Sequence, residues 1–241
     1  MSTHQPTWQE WAWRTCRRLA AVTAAGAVAG FVVGGIGGRL AMLLLARLNP
    51  DASGLTSDDG FTIGRFTSDT INLLMVGTAL GVFGAGVYLV LRRLMIGPRW
   101  FQILSISVGP AVVVGSQIVH TDGVDFTLLE PPMLAIALFV LIPGLYAALL
   151  TVLAERWLRD DASSFRTRRP WVGLLPLLLW TPLFFVLPVL VLVLAVAEYL
   201  RRSGADELLA HPAGHWLARG VLTLVFALAL ADLVGDSRTL T

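Results

Sequence analysis

The chain has 241 residues, 56% of them hydrophobic and 14% charged, with a formal net charge of +2. Soluble domains carry about a quarter charged residues, so this composition excludes an ordinary water-soluble protein, and so small a positive balance does not point to nucleic acid. Every basic residue is an arginine, and Cys16 is the only cysteine, which excludes an internal disulfide and a cysteine-based zinc site.

A helix needs about 20 apolar residues to cross a bilayer. On that measure the chain reads as an all-α membrane protein, one polytopic bundle of six transmembrane helices near 19–46, 71–92, 100–120, 131–156, 171–199 and 215–234. The first stretch contains Ala27-Val28-Ala29, which resembles a signal-peptidase site, but its apolar run is longer than a signal core and reads as an uncleaved anchor. Within it, Gly26, Gly30, Gly34 and Gly38 recur every fourth residue, and Gly77 and Gly81 repeat that spacing in the second span. Small residues at this interval let two helix backbones approach closely in lipid. The pattern predicts an antiparallel hairpin of spans one and two, with homodimerisation as the other use of the same stripe. Arg39 follows the stripe and the helix pattern runs on past it. Either it snorkels to the outer surface, the preferred reading, or it lies inside the membrane as a site, with an outer-loop acid such as Asp59 or Glu130 as partner.

The first outer loop, 49–70, opens with the helix stop Asn49-Pro50-Asp51 and contains an Asp59-Gly60 turn before alternating apolar residues from Phe61. The second repeats the idea with Asp122-Gly123 before Val124, Phe126 and Leu128. The two loops are expected to meet as a short β-pair, a cap that gathers Arg39, Asp58, Asp59, Arg65, Asp122 and Asp125 into a polar cluster. Farther along, Pro110, Pro143 and Pro182 fall near the middles of spans three, four and five. Proline-broken helices at one depth are a transporter feature, and ordinary kinking is the plainer explanation. The last span is the weakest, because Arg219 and Asp232 pinch its apolar centre. His211 and His215 stand four apart, but Pro212 and Gly214 between them argue against a metal-binding helix face, so no metal or cofactor is expected.

Arginine placement sets the orientation. Arg14, Arg17 and Arg18 precede span one, Arg92, Arg93 and Arg99 separate spans two and three, and Arg156, Arg159, Arg166, Arg168 and Arg169 separate spans four and five. The positive-inside rule makes these segments cytoplasmic. Six alternating crossings then place both termini in the cytoplasm. Arg201 and Arg202 resist this scheme, since they would lie outside; a re-entrant fifth segment, with the C-terminus outside, is the alternative.

The run Gly54-Leu55-Thr56-Ser57-Asp58-Asp59-Gly60-Phe61-Thr62-Ile63-Gly64-Arg65-Phe66-Thr67, with Val124-Asp125-Phe126 later, resembles uncharacterised multi-pass membrane proteins of high-GC bacteria over roughly the first four spans. The resemblance implies a bacterial cytoplasmic (inner) membrane location and brings no catalytic residue with it. No phosphate-binding loop, HExxH, GxSxG or CxxC pattern is present. The leading expectation is therefore a non-catalytic membrane component that assembles with itself or other membrane proteins. A small-solute or lipid transporter and an intramembrane enzyme are the alternatives.

Overall fold

A computed structural model describes residues 8–52, 54, 68–119, 121, 126, 129–159, 170–186 and 212–240. All the regular elements among them are helical: α1 (Trp8–Ala29), a π-helical stretch (Gly30–Gly37), α2 (Gly38–Leu48), α3 (Ser68–Leu91), α4 (Arg99–Ile118), α5 (Pro132–Trp157), a 3-10 segment (Pro170–Val186) and α6 (Pro212–Leu240), with single 3-10 turns at Pro50–Ala52 and Arg92–Leu94. Among the described residues, five helices are long and apolar enough to cross a membrane: Trp13–Leu48, Ser68–Leu91, Arg99–Ile118, Pro132–Trp157 and Trp216–Leu240. The expected fifth span, near 171–199, is a 3-10 segment over its described part, and the rest lies outside the described residues. The expected β-pair falls mostly outside the described residues, which contain no strand.

The apolar runs become helices because a backbone in lipid must satisfy its own hydrogen bonds. Side-chain volume then decides how they pack, since lipid offers no hydrophobic drive between helices. Two clusters mark the ends of the bundle. One holds Val22, Ala25, Ala29, Ala85, Tyr88, Leu150 and Ala154, with Trp157 and Leu158 against it, and lies toward the arginine-bearing segments. The other holds Met42, Leu45, Val119, Phe126, Leu129, Ala135, Ile136, Phe139 and Leu233 at the opposite end. The first helix is the buried centre: 56% of its most apolar stretch is covered, against 6% for α6.

The direction of α6 departs from six alternating crossings. Near its start, Arg219 Nε donates to the Leu94 carbonyl at 3.1 Å, beside the arginine-bearing turn that ends α3. Farther along, Leu233 and Leu240 pack into the opposite cluster with Leu45 and Phe126. The helix thus runs parallel to α4, whereas a sixth alternating span would run antiparallel to it. Arg219 is not stranded in the apolar layer either: its guanidinium also lies over the Trp216 ring, 5.3 Å from the centroid.

Candidate functional site

Among the described glycines, those between the first helix and α3 leave the least room for a side chain. A methyl group on Gly26 would overlap the Gly81 carbonyl oxygen and stand 2.6 Å from Ala85 Cβ; one on Gly30 would overlap the Gly77 carbonyl oxygen and stand 2.8 Å from Gly81 Cα. The two backbones touch because neither carries a Cβ at the crossing. Beyond Gly30 the stripe changes register. The π-helical turns add one residue per turn, so the contact passes from the four-residue to the five-residue neighbour. Gly34 is only in ordinary contact, 3.4 Å from Gly77 Cα, whereas a methyl on Gly35 would stand 2.8 Å from Leu74 Cδ2. A methyl on Gly38 would meet nothing within 4 Å among the described residues. An α-helical period cannot anticipate that shift, which is why the sequence stripe includes Gly38 and omits Gly35.

The other sides of α3 are used as well. Gly84 leaves room for Tyr146 of α5, whose hydroxyl donates to the Gly81 carbonyl at 2.8 Å. Gly86 faces Trp180, with Trp180 Cη2 only 3.1 Å from where a Cβ would sit. Trp180 is buried with Ala27 and Val82, and its indole Nε1–H donates to the fully buried Thr23 hydroxyl at 2.9 Å. That bond fixes the 3-10 segment against α1 and α3. Sequence reasoning missed it: the partners are 157 residues apart, and a tryptophan in an apolar run carries no polar signal.

Toward the arginine-bearing end, Glu155 joins α3 to α5. Arg92 donates to it from Nε at 2.5 Å and from Nη2 at 3.2 Å, and the Tyr88 hydroxyl donates at 2.9 Å. The hydrogen bond to this carboxylate holds the Arg92 guanidinium above its ordinary pKa. Glu155 was legible as a lone acid among arginines at the end of a span, a signal the sequence reading passed over.

At the opposite end Arg39 is covered by protein, 4% exposed, and among the described residues the acidic group whose charge acts on it is Asp69 in the first turn of α3. Of the two expected partners, Asp59 lies outside the described residues. Glu130 makes its described bonds through the main chain: its N–H donates to Asn49 Oδ1, and Asn49 Nδ2 donates back to its carbonyl, both at 2.9 Å. This reciprocal pair ties the end of α2 to the residue two before α5. Asp58, Asp59, Arg65, Asp122 and Asp125 lie outside the described residues, as do Phe61 and His211. Phe126 is buried, its ring edge-on to Phe139 with centroids 5.5 Å apart.

Pro110 and Pro143 lie within continuous α-helices, and the helices pack on each other beside them. Gly144, next to Pro143, packs on α4 next to Pro110: a methyl there would stand 3.1 Å from Ala111 Cβ and 3.3 Å from the Ser107 carbonyl oxygen. Pro182 lies in the 3-10 segment. Among the described residues, no three His, Cys, Asp or Glu groups come close enough to hold a metal ion.

One helix side remains open. On α6, Gly220, Thr223, Ala227, Ala231 and Gly235 are all exposed, and nothing lies within 4 Å of a Cβ placed on Gly220 or Gly235. At 100° per residue these five share one stripe, opposite Leu233. Comparison with protein-family models, curated proteins and solved structures finds no match to this chain.

Proposed function

We propose that the protein is a non-catalytic, multi-pass component of a bacterial cytoplasmic membrane that assembles with a second copy of itself through α6. The observation that carries this reading is the open small-residue stripe, directly across the helix from the side that packs on the bundle. Where the chain places the same chemistry internally, at Gly30 and Gly77, it closes two backbones against each other. Small residues facing lipid give up dispersion contacts that a second helix would restore. Asp232 adds to the case: it is exposed on the flank of the stripe, level with Leu233, and a carboxylate at a lipid-facing position costs about 2.5–3.5 kcal/mol near the bilayer centre and less toward its edge. A neighbouring protein relieves that cost. Arg47 and Arg238 are exposed toward the same end and would be available from a second copy.

The test is disulfide crosslinking in native membranes of Ala231→Cys in a Cys16→Ser background, with Val225→Cys off the stripe as the control. A crosslinked dimer from Ala231→Cys alone, abolished by adding Ala227→Leu, supports the reading. A monomer at every position, or crosslinking that ignores the stripe, refutes it.

A second reading is favoured by one contact. The contact of Gly144 with Ala111 brings the Pro110 and Pro143 neighbourhoods together, and helix opening at those prolines would suit a small-solute or lipid path between α4 and α5. A lipid retained through purification and lost in Gly144→Leu, with the fold intact, would favour this alternative. The polar cluster capped by the outer loops belongs with either reading. It is supported by the Asn49–Glu130 tie and by the burial of Arg39 and Phe126.

A further inference from the structure

We infer that the chain crosses the membrane an odd number of times, so that its two termini face opposite sides. The inference rests on the bilayer-spanning reading of the helices and is independent of what α6 binds. Four helices fix the frame. The first runs from the arginine-bearing end to the end marked by Leu45, α3 returns, α4 goes out again, and α5 returns, since Ala135 and Phe139 lie in the far cluster while Leu150 and Ala154 lie in the near one. After Leu158 the chain is therefore at the arginine-bearing end.

The start of α6 is at that same end. Arg219 is bonded to Leu94 O, and the 21 residues from Arg219 to Leu240 carry the helix about 30 Å, at 1.5 Å per residue, to the cluster that contains Met42 and Phe126. Whatever path the chain takes between Leu158 and Pro212, it begins and ends on one side, which means an even number of crossings. Adding four before it and one after it gives an odd total.

Two sequence facts fit this arrangement better than six spans. Arg201 and Arg202, the pair that six alternating crossings strand outside, come ten residues before Pro212 and so precede a helix that starts at the arginine-bearing end. Asp232 and Asp236 fall at the far end, where the two acidic loops also emerge. Positive-inside then makes the N-terminus cytoplasmic and the C-terminus external.

The experiment is a pair of reporters fused in turn after Thr241 of the full chain, alkaline phosphatase, active only outside the cytoplasm, and green fluorescent protein, fluorescent only within it. Phosphatase activity without fluorescence is the expected result; fluorescence without phosphatase activity overturns the inference. Cysteines at Arg159 and Thr239 in a Cys16→Ser background give an independent reading with an impermeant thiol reagent. In intact cells Thr239→Cys should label and Arg159→Cys should label only after permeabilisation, whereas identical behaviour of the two refutes opposite-sided termini.

Discussion

The sharpest test of the packing is a graded alanine series along one glycine stripe. At Gly30 the added methyl overlaps the Gly77 carbonyl and stands 2.8 Å from Gly81 Cα and 3.1 Å from Gly81 N, where ordinary contact begins at 3.4 Å. All three neighbours are main-chain atoms, so no rotamer change relieves the clash and α1 must move away from α3. Overpacking of this kind costs about 1–3 kcal/mol, and at this chain length each kcal/mol lowers the melting temperature by about 2–4 °C. At Gly34 the nearest atom is already at 3.4 Å, so Gly34→Ala should cost under about 1 kcal/mol. At Gly38 a Cβ meets no described atom within 4 Å, and alanine gains up to about 1 kcal/mol of helix propensity. The expected melting order in mild detergent is therefore Gly38→Ala at or above wild type, Gly34→Ala slightly below, and Gly30→Ala lowest by several degrees. A uniform loss at all three positions would show that the stripe keeps α-helical register throughout and that the π-helical shift is wrong. No loss at Gly30 would show that α1 and α3 do not touch there.

Three further substitutions probe the remaining ties. Trp180→Phe removes the indole donor to Thr23 and should cost about 0.5–1.5 kcal/mol, while Trp180→Ala also empties the space beside Gly86 and should cost about 3–5 kcal/mol; equal melting of the two would put Trp180 outside the bundle. Glu155→Gln still accepts from Tyr88 and weakens a partly exposed ion pair, a loss of at most about 1 kcal/mol. Glu155→Leu leaves the buried Tyr88 hydroxyl without its acceptor and should cost about 1–3 kcal/mol, so a Leu variant as stable as the Gln variant refutes the bond. Asn49→Ala cuts both links to Glu130 and should speed hydrogen exchange at the Glu130 amide at least tenfold; unchanged exchange would mean the two outer segments are held by other contacts.

Much of the architecture was readable from residue order because lipid imposes simple rules. Long apolar runs have only one economical backbone solution, and the arginine clusters around Arg17, Arg92 and Arg156 mark one end of the bundle. The approach of spans one and two was visible in Gly26, Gly30, Gly77 and Gly81. Three things were not. The shift to Gly35 depends on a π-helical geometry that no residue pattern announces. The anchoring of Trp180 on Thr23 joins distant segments through a single hydrogen bond. The direction of α6 was hidden because Arg219 reads in sequence as an awkward charge within a span, whereas in the fold it is the residue that docks the helix start onto Leu94.

The glycines of α3 carry an implication for how this helix tells its inside from its outside. A soluble helix does so by polarity, with apolar side chains inward and charged ones outward. Here both sides are apolar, and much of the distinction is written in size: Gly77 and Gly81 turn toward α1, Gly84 toward Tyr146 and Gly86 toward Trp180, with Val82 and Tyr88 the large residues that also face inward, while Ile71, Met75, Leu80, Val87 and Val90 point away from the bundle. A saturation mutagenesis map of α3 should therefore show an inverted hydropathy logic. Exchanges among large apolar residues, and even moderately polar ones near the ends, pass on the bulky side, whereas the mildest enlargement, glycine to alanine, fails at Gly77 and Gly81, where it meets backbone, and costs less at Gly84 and Gly86, where the tyrosine and indole rings can give way. Tolerance would follow side-chain volume, and a hydrophobicity scale applied to the same positions would have almost no predictive value.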